Sequence, residues 1–450
     1  MKSVKRFVPE DAFLKIKEKY ISDPPLFKHE KDVFYFIMDI IYRLKVYNKN
    51  AKYTDDGLLR ISSKYFKAYI TQNYANYLRW LQKHEILICD KIKKTGKAYG
   101  YEVHPTVESK VIPVEIQKSS IITRRIIENY NKRQKFHKKT DSHILTMKKY
   151  FKKIMKINTE EALQWLESSF QEKKINIDQY NVYMISVSMI EDGEFYFKTN
   201  NTNGRLDTNL TNLKSDLRKF VFMGEYCHID CKNSQPLILN FILNFILLNS
   251  NYKLEITNNP TPSPDPTTIY PSLGEEYREI LSKELSNSDI EWLKKFPLNE
   301  KIKDEFLNYR DKTFNTDFYN YLKEEYENLY QKVISREEMK ELIYKVFFSQ
   351  NFAYKKEKFL FKEKFPTISQ IIYKLKKQRH NKFALCLQRI ESEIFIKKIC
   401  KRLVENDIIP LTIHDSVIVI AKDEEKTLQI VSEVYSEVLH GIPEFECSVL

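Results

Sequence analysis

Apolar residues recur three and four apart over Val33–Val46, and again over Ile61–Ile70 and Tyr74–His84, so each stretch predicts a helix. Ile86–Cys89 and Tyr101–His104 are short apolar runs of strand type, joined by the basic turn Asp90–Gly100. From about residue 115 to 190 the spacing is helical and the polar positions are basic. Strands then enter at Phe195–Lys198, near Val221 and at Tyr226–Asp230. Leu237–Leu248 is apolar on every side, which predicts a buried helix. It is interrupted by Asn240 and Asn244 and is too short to span a bilayer. Asn258–Pro271 holds five prolines in fourteen residues and predicts an extended surface loop. Helices dominate from Gly274 to Leu360, another long helix is predicted over Phe383–Val404, and Leu411–Ile420 reads as a hairpin turning at His414-Asp415.

Helix, helix, helix and a basic-tipped hairpin within residues 27–105 look like a winged helix-turn-helix, which sets a helix in a major groove with a wing beside it. Such modules also dock proteins, so a DNA contact and a replication-protein contact are both open at this point.

Charge sharpens the picture. The 450 residues carry 74 Lys and Arg against 61 Asp and Glu, a net charge of +13, which favours a polyanionic partner. Arg124–Lys156 alone holds twelve basic residues against two acids, with Tyr130, Phe136, Tyr150 and Phe151 interleaved. A solvated helical face has this composition, and so does a groove that follows a phosphate backbone. The six cysteines form no paired framework and no secretory signal opens the chain, which points to a reducing cytoplasm. Cys227, His228, Asp230 and Cys231 crowd together, but successive strand residues face opposite ways and no second ligand pair with zinc spacing follows, so they are not read as a zinc site.

Candidate chemistry lies in the second half. Asp230 ends a strand and precedes a helix that begins near Pro236, while Asp415 sits in a hairpin turn 185 residues later. Either one alone is better explained as a helix cap or a turn residue. Together they are what a two-metal phosphoryl-transfer site requires: carboxylates on rigid neighbouring strands. Arg336, Lys340, Tyr344 and Phe348 are spaced by four and form one helical stripe. Two cations followed by two aromatics suit a nucleoside triphosphate, although a helix with its rings turned inward and its cations at the rim would show the same spacing.

The order of segments resembles the palm and fingers of family A nucleic-acid polymerases. Asn203-Gly204-Arg205-Leu206 with Asn209-Leu210-Thr211-Asn212-Leu213 is similar to a motif lining the minor groove at the primer end. His228-Ile229-Asp230 is similar to the first metal-binding strand, Arg336–Phe348 to the fingers helix, Leu387-Gln388-Arg389-Ile390-Glu391-Ser392-Glu393 to the helix before the second aspartate, and His414-Asp415-Ser416 to the second metal-binding turn. The chain departs from that pattern at Phe348-Ser349, at Thr211 and at Ser416, and the His-Asp-Ser order also resembles phage-type single-subunit RNA polymerases.

The resemblance implies an α+β fold: a right-hand polymerase with an antiparallel-sheet palm, helical fingers and a helical thumb, preceded by the winged helix. The expected divisions are a winged-helix-like domain over 1–110, a basic thumb-like region over 111–195, and palm and fingers over 196–450. Asp230 and Asp415 would be catalytic and would hold two Mg²⁺ ions, with Mn²⁺ able to substitute. Arg336, Lys340, Tyr344, Phe348 and Gln235 would bind the nucleotide, and Arg205, Asn209, Asn212, Gln388 and His414 would touch nucleic acid. Gln235 stands where such DNA polymerases carry a glutamate that blocks a ribose 2′-hydroxyl, and its size predicts a deoxynucleotide preference. The implied partners are primer-template DNA and nucleoside triphosphates, with no membrane. The N-terminal residues leave no room for a proofreading exonuclease. Two alternatives stay open: an RNA polymerase or primase on the same palm, and a non-catalytic DNA-binding replication factor. Abundant Lys, Asn and Ile with only 8 Gly fit an AT-rich genome, as in a phage or mobile element.

Overall fold

In the computed structural model, which describes all residues except 1–3, 48–52, 71–72, 91–97, 118–119, 135–139, 223, 250–274 and 378–379, strand β1 (Val4–Pro9) leads directly into helix α1 (Glu10–Ser22). The apolar pattern that follows folds as helix α2 (Lys31–Tyr47), strand β2 (Leu59–Arg60), helices α3 (Ser63–Tyr69) and α4 (Tyr74–Lys83), then strands β3 (Leu87–Cys89) and β4 (Gly100–Val103). The three strands form an antiparallel sheet in the order β2-β4-β3. Ser62 starts α3 by accepting the Tyr65 N–H at 3.2 Å, which satisfies one of the donors a helix start leaves open. The basic wing predicted at 91–97 and the proline-rich loop predicted at 258–271 both lie outside the described residues.

Two compact units divide the chain: one takes residues 1–141, 152–197 and 208–223, the other 142–151, 198–207 and 224–450. In the first, β5 (Val111–Ile116) pairs antiparallel with β1, Val4 opposite Ile116. Phe34 of α2 packs its ring 4.6 Å from Trp80 and 5.0 Å from Tyr77 of α4. Helices α5 (Ile121–Gln134), α6 (Thr159–Gln171) and α7 (Ile177–Glu191) follow, and Ile122 of α5 with Ile185 and Met189 of α7 joins the same core as Phe34 and Trp80. Residues on both sides of position 110 therefore share one interior.

A buried charge cluster crosses that interior. The Glu194 carboxylate accepts Arg43 Nη1 at 2.5 Å and Arg6 Nη1 at 3.1 Å, while Asp39 accepts Arg43 Nε at 2.8 Å and the Phe7 N–H at 2.9 Å. Burial pushes the Glu194 carboxyl up, but the Arg43 and Arg6 charges outweigh it and hold the group below the usual range.

The second unit is built on an antiparallel sheet of four strands, β6 (Tyr226–Cys231), β7 (Leu411–Ile413), β8 (Ser416–Ile420) and β9 (Phe445–Val449), in the order β9-β6-β8-β7. Helices α8 (Ser234–Asn249), α9 (Glu300–Asn315), α10 (Phe318–Tyr330), α11 (Arg336–Phe348), α12 (His380–Ser392) and α13 (Glu424–Leu439) belong to the same unit. The long helix predicted over 383–404 is interrupted: α12 ends at Ser392, residues Glu393–Ile399 take π-helical turns, and an α-helix resumes at Cys400–Glu405. The described residues form an α+β structure, about 63% helical, with small antiparallel sheets. Among the described residues no helix is long and apolar enough to cross a membrane.

Glu194→Gln should destabilise the first unit by about 3–5 kcal/mol, because two buried guanidinium groups lose their shared anion. The folded carboxyl sits below its unfolded value, so its contribution is present above that value and lost as pH falls through the folded pKa. Urea unfolding followed by tryptophan fluorescence should therefore show a wild-type advantage that is largest near neutral pH and shrinks below about pH 4.

Candidate active site

Alternation along β6 sends Cys227, Ile229 and Cys231 into the core and leaves Tyr226, His228 and Asp230 half-buried on the other face. Asp230 lies opposite Ser416 of β8 on one side and Glu446 of β9 on the other. Asp415 immediately precedes Ser416, so the register sets the two aspartates side by side. The β7–β8 turn is tight: His414 adopts φ +56°, in the left-handed region that non-glycine residues seldom occupy. Ser416 Oγ donates to Ile413 O at 2.8 Å and lies 2.7 Å from His228 Nε2. With the hydroxyl proton engaged by the carbonyl, His228 is the donor, through an Nε2–H.

Past Asp230 the chain turns at Asn233, whose φ is +59°. Its amide donates to Thr313 O at 3.2 Å and Thr316 O at 2.7 Å, and its oxygen accepts the Phe318 N–H at 3.1 Å. One side chain thereby clamps the end of β6 and the start of α8 to the junction of α9 and α10. The clamp anchors the chain three residues beyond Asp230.

Burial pushes the Asp230 carboxyl well above the usual carboxylate range, and the charges of Asp415 and Glu446 push it further. Lys340 of α11 and the Cys231 N–H pull the other way. A second acid, Glu391 of α12, is 2% exposed and is pushed up to about 7 by burial, offset by Arg205 and reinforced by Asp415. Arg205 grips it with both arms, Nε to Oε1 at 2.7 Å and Nη2 to Oε2 at 2.8 Å. Gln235, in the first turn of α8, donates its amide nitrogen to the same carboxylate. Its oxygen, Oε1, is buried with no hydrogen-bond partner among the described residues. Gly204 permits this arrangement: its φ is +82°, and a Cβ there would lie 3.0 Å from Ser392 Cβ.

Two stripes run along α11. Met339, Ile343, Val346 and Phe347 are buried, while Arg336, Lys340, Tyr344 and Phe348 form a separate, half-buried row. The cations of that row are thus not merely the rim of an inward-facing aromatic set. A capping box between Ser335 and Glu338 starts the helix. Arg336 pairs with Asp317 at 2.7 Å and lies over the Tyr319 ring at 5.3 Å, Lys340 lies 5.9 Å from the rings of both Tyr319 and Tyr344, and the Tyr344 and Phe348 rings are 5.6 Å apart. Tyr344 is pushed up to about 12, first by burial and then by the Asp415 charge, with smaller effects from its hydrogen bond to Tyr319 and from Glu391 and Arg205.

Electrostatic and hydrogen-bonded contacts thus bring Asp230, Asp415, Lys340, Tyr344, Arg205 and Gln235 together. Gln388 lies on the same helix as Glu391 and accepts from Asn203 at 3.4 Å. His414 is exposed at its turn. Asn209 and Asn212 belong to the first unit, where Asn209 holds backbone, accepting the Tyr196 N–H at 2.6 Å and donating to Glu194 O at 3.2 Å. Asp317, Glu446 and Asn233 lie outside the sequence motifs, and Glu391 lies within the Leu387–Glu393 motif, where Gln388 is the expected contact residue. Glu391 carried a signal, since it interrupts the apolar row Phe383, Leu387, Ile390 and Ile394 with an acid. No protein-family model matches this chain, and no curated protein matches it. The functional reading rests on geometry and on the sequence motifs.

Replacing Asp230 by Asn should raise the melting temperature at pH 8 by roughly 2–4 °C, the shift that about 1 kcal/mol makes in a domain of this size. A carboxyl whose folded pKa is raised destabilises the fold increasingly as pH rises through that pKa. The gain should fade by pH 5, which differential scanning calorimetry at the two pH values would reveal.

Proposed function

We propose that this protein is a template-directed nucleotidyltransferase, a primer-dependent DNA polymerase without proofreading. The observation that carries the reading is the convergence of Asp230 and Asp415, the residue just before Asp230's ladder partner Ser416, with a cationic-aromatic helix stripe whose Lys340 charge acts on Asp230. In this reading the β9-β6-β8-β7 sheet is the palm, α11 belongs to the fingers, and the basic helices of residues 120–188 form the thumb. The strand order β2-β4-β3, with α2, α3 and α4, supports a winged helix for DNA or replication-protein contact.

Asp230 and Asp415 suit divalent ions: hard carboxylate oxygens are the ligands Mg²⁺ prefers, and a carboxyl pushed up by a neighbouring anion is one that a cation would relieve. Asp230 and Asp415 would hold two Mg²⁺ ions, or Mn²⁺ in their place, which supply charge stabilisation at the attacking and leaving oxygens when bound. Lys340 and Arg336 bind the triphosphate, and Tyr344 and Phe348 offer their rings to the base. Gln388 and Arg205 face the primer duplex, with two of the Arg205 nitrogens also holding Glu391. Glu391 fixes the Gln235 carboxamide, so Gln235 presents a rigid bulk to the sugar and excludes a 2′-hydroxyl.

One observation favours the rival reading, an RNA polymerase or primase on the same palm. The unpartnered Gln235 Oε1 is an acceptor that a ribose 2′-hydroxyl would satisfy. We favour deoxynucleotides because overlap with a fixed side chain costs about 1–3 kcal/mol, more than one neutral hydrogen bond of about 1 kcal/mol returns.

Asp230→Asn and Asp415→Asn should each lower nucleotide incorporation at least about 10³-fold, roughly 4 kcal/mol in barrier, with unchanged circular dichroism and DNA affinity. Primer extension within tenfold of wild type in either variant would exclude the acid pair from catalysis.

Gln235→Ala should raise ribonucleotide incorporation relative to deoxynucleotide by about 10–100-fold, the size of a relieved steric overlap. Single-turnover incorporation with both nucleotide classes decides it. Wild-type protein preferring ribonucleotides, with that preference lost in the variant, would establish the RNA-polymerase reading instead.

A further inference from the structure

The face of the sheet opposite Asp230 carries a second group of side chains, unrelated to the acid pair. Cys227 of β6 points to this back face, as does Ile229. Cys447 of β9 lies opposite Ile229 and therefore shares that face. Glu424, the first residue of α13, reaches the same place. The two sulfurs and a Glu424 carboxylate oxygen all lie within 4.8 Å of one another, contributed by three separate elements. Cys227 is buried, Glu424 half-buried and Cys447 exposed on an edge strand, so the group is open to solvent on one side.

Two thiols this close invite a disulfide, but the register argues against one. Cys227 pairs with Val449 and Cys447 with Ile229, so the cysteines are diagonal neighbours. Diagonal Cα atoms across antiparallel strands are about 7–8 Å apart, beyond the roughly 6.8 Å that a disulfide spans. A disulfide also leaves the carboxylate without a role. A tetrahedral ion explains all three groups: with metal–sulfur bonds of about 2.3 Å its sulfurs lie about 3.8 Å apart, within reach of the observed cluster. Thiolates select borderline-soft ions over magnesium.

We propose that Cys227, Glu424 and Cys447 form a zinc site of two thiolates and one carboxylate, with water in the fourth position. An ordinary cysteine is mostly the protonated thiol at neutral pH, whereas the metal ligand is the thiolate. Binding breaks two S–H bonds, forms two Zn–S bonds and one Zn–O bond, and releases two protons to solvent, with no change of oxidation state. The ion ties the edge strand β9 and the start of α13 to β6, three residues from Asp230.

The test uses full-length protein, stripped with a chelator, kept reduced with a phosphine, and titrated with Co²⁺. A thiolate-to-cobalt charge-transfer band should saturate at one equivalent and disappear when Zn²⁺ is added. Cys447→Ser, at an exposed position, and Glu424→Gln should each weaken binding at least tenfold, while Asp230→Asn should leave the titration unchanged. Cobalt on the aspartate pair gives no sulfur band, so failure of the polymerase reading would not affect this result. The proposal is overturned by absence of the band in wild type, by an unchanged titration in Cys447→Ser or Glu424→Gln, or by a two-hydrogen mass loss in a peptide linking residues 227 and 447.

Discussion

The pairing of β6 with β8 governs the second unit, because one ladder register decides the position of every chemically useful group. Val417 opposite Ile229 and Val419 opposite Cys227 are buried on the back face, and this apolar match locks Asp230 opposite Ser416 on the front. A slip of β6 by one residue would turn Tyr226, His228 and Asp230 into the core and bring Cys227, Ile229 and Cys231 out of it, which the core does not tolerate. The same register obliges two carboxylates to sit together and leaves Asp230 in an unfavourable charge state. Asn233, three residues on, ties the end of β6 to the junction of α9 and α10.

Two buried glutamates show how neighbouring charge, rather than burial alone, sets the state of an acid. Glu194 is shared by two guanidinium groups and is held low; Glu391 has one, Arg205, and also feels Asp415, and it is driven up. The first arrangement is a structural tie. The second places a protonatable group beside the Gln235 amide and within the electrostatic reach of Tyr344 and Asp415.

Local patterns made some of this legible in the sequence. Asp230 at a strand-to-helix junction, the turn at His414-Asp415 and the four-residue stripe of α11 depend on neighbours in the chain, and each is found where its pattern indicates. Glu391 is legible only as an acid interrupting an apolar row, three residues after Gln388, and its partner Arg205 is too distant in the chain to leave a local mark. The pairing of β1 with β5 joins segments about a hundred residues apart and leaves no local mark. Cys227 and Cys447 are more distant still, so neither shows the ligand spacing by which zinc sites are usually read. An amide at Asn209 suits a minor groove, yet in the structure it holds the backbone of Tyr196 and Glu194.

The π-helical turns at Glu393–Ile399 change how the helix after Glu391 responds to alterations in length. A π turn is an α-helical turn with one surplus residue, and it leaves carbonyls poorly served within the helix. One of them, Ile396 O, receives the Nε2–H of His143 at 3.0 Å. The surplus residue turns everything downstream by about 100° relative to an uninterrupted α-helix. Cys400 and Leu403 are thereby aimed inward from a frame that differs from that of Leu387 and Ile390. The helix is therefore two faces spliced out of phase, and a single-residue deletion at the splice would turn its distal half away from the core while sparing the half that carries Glu391.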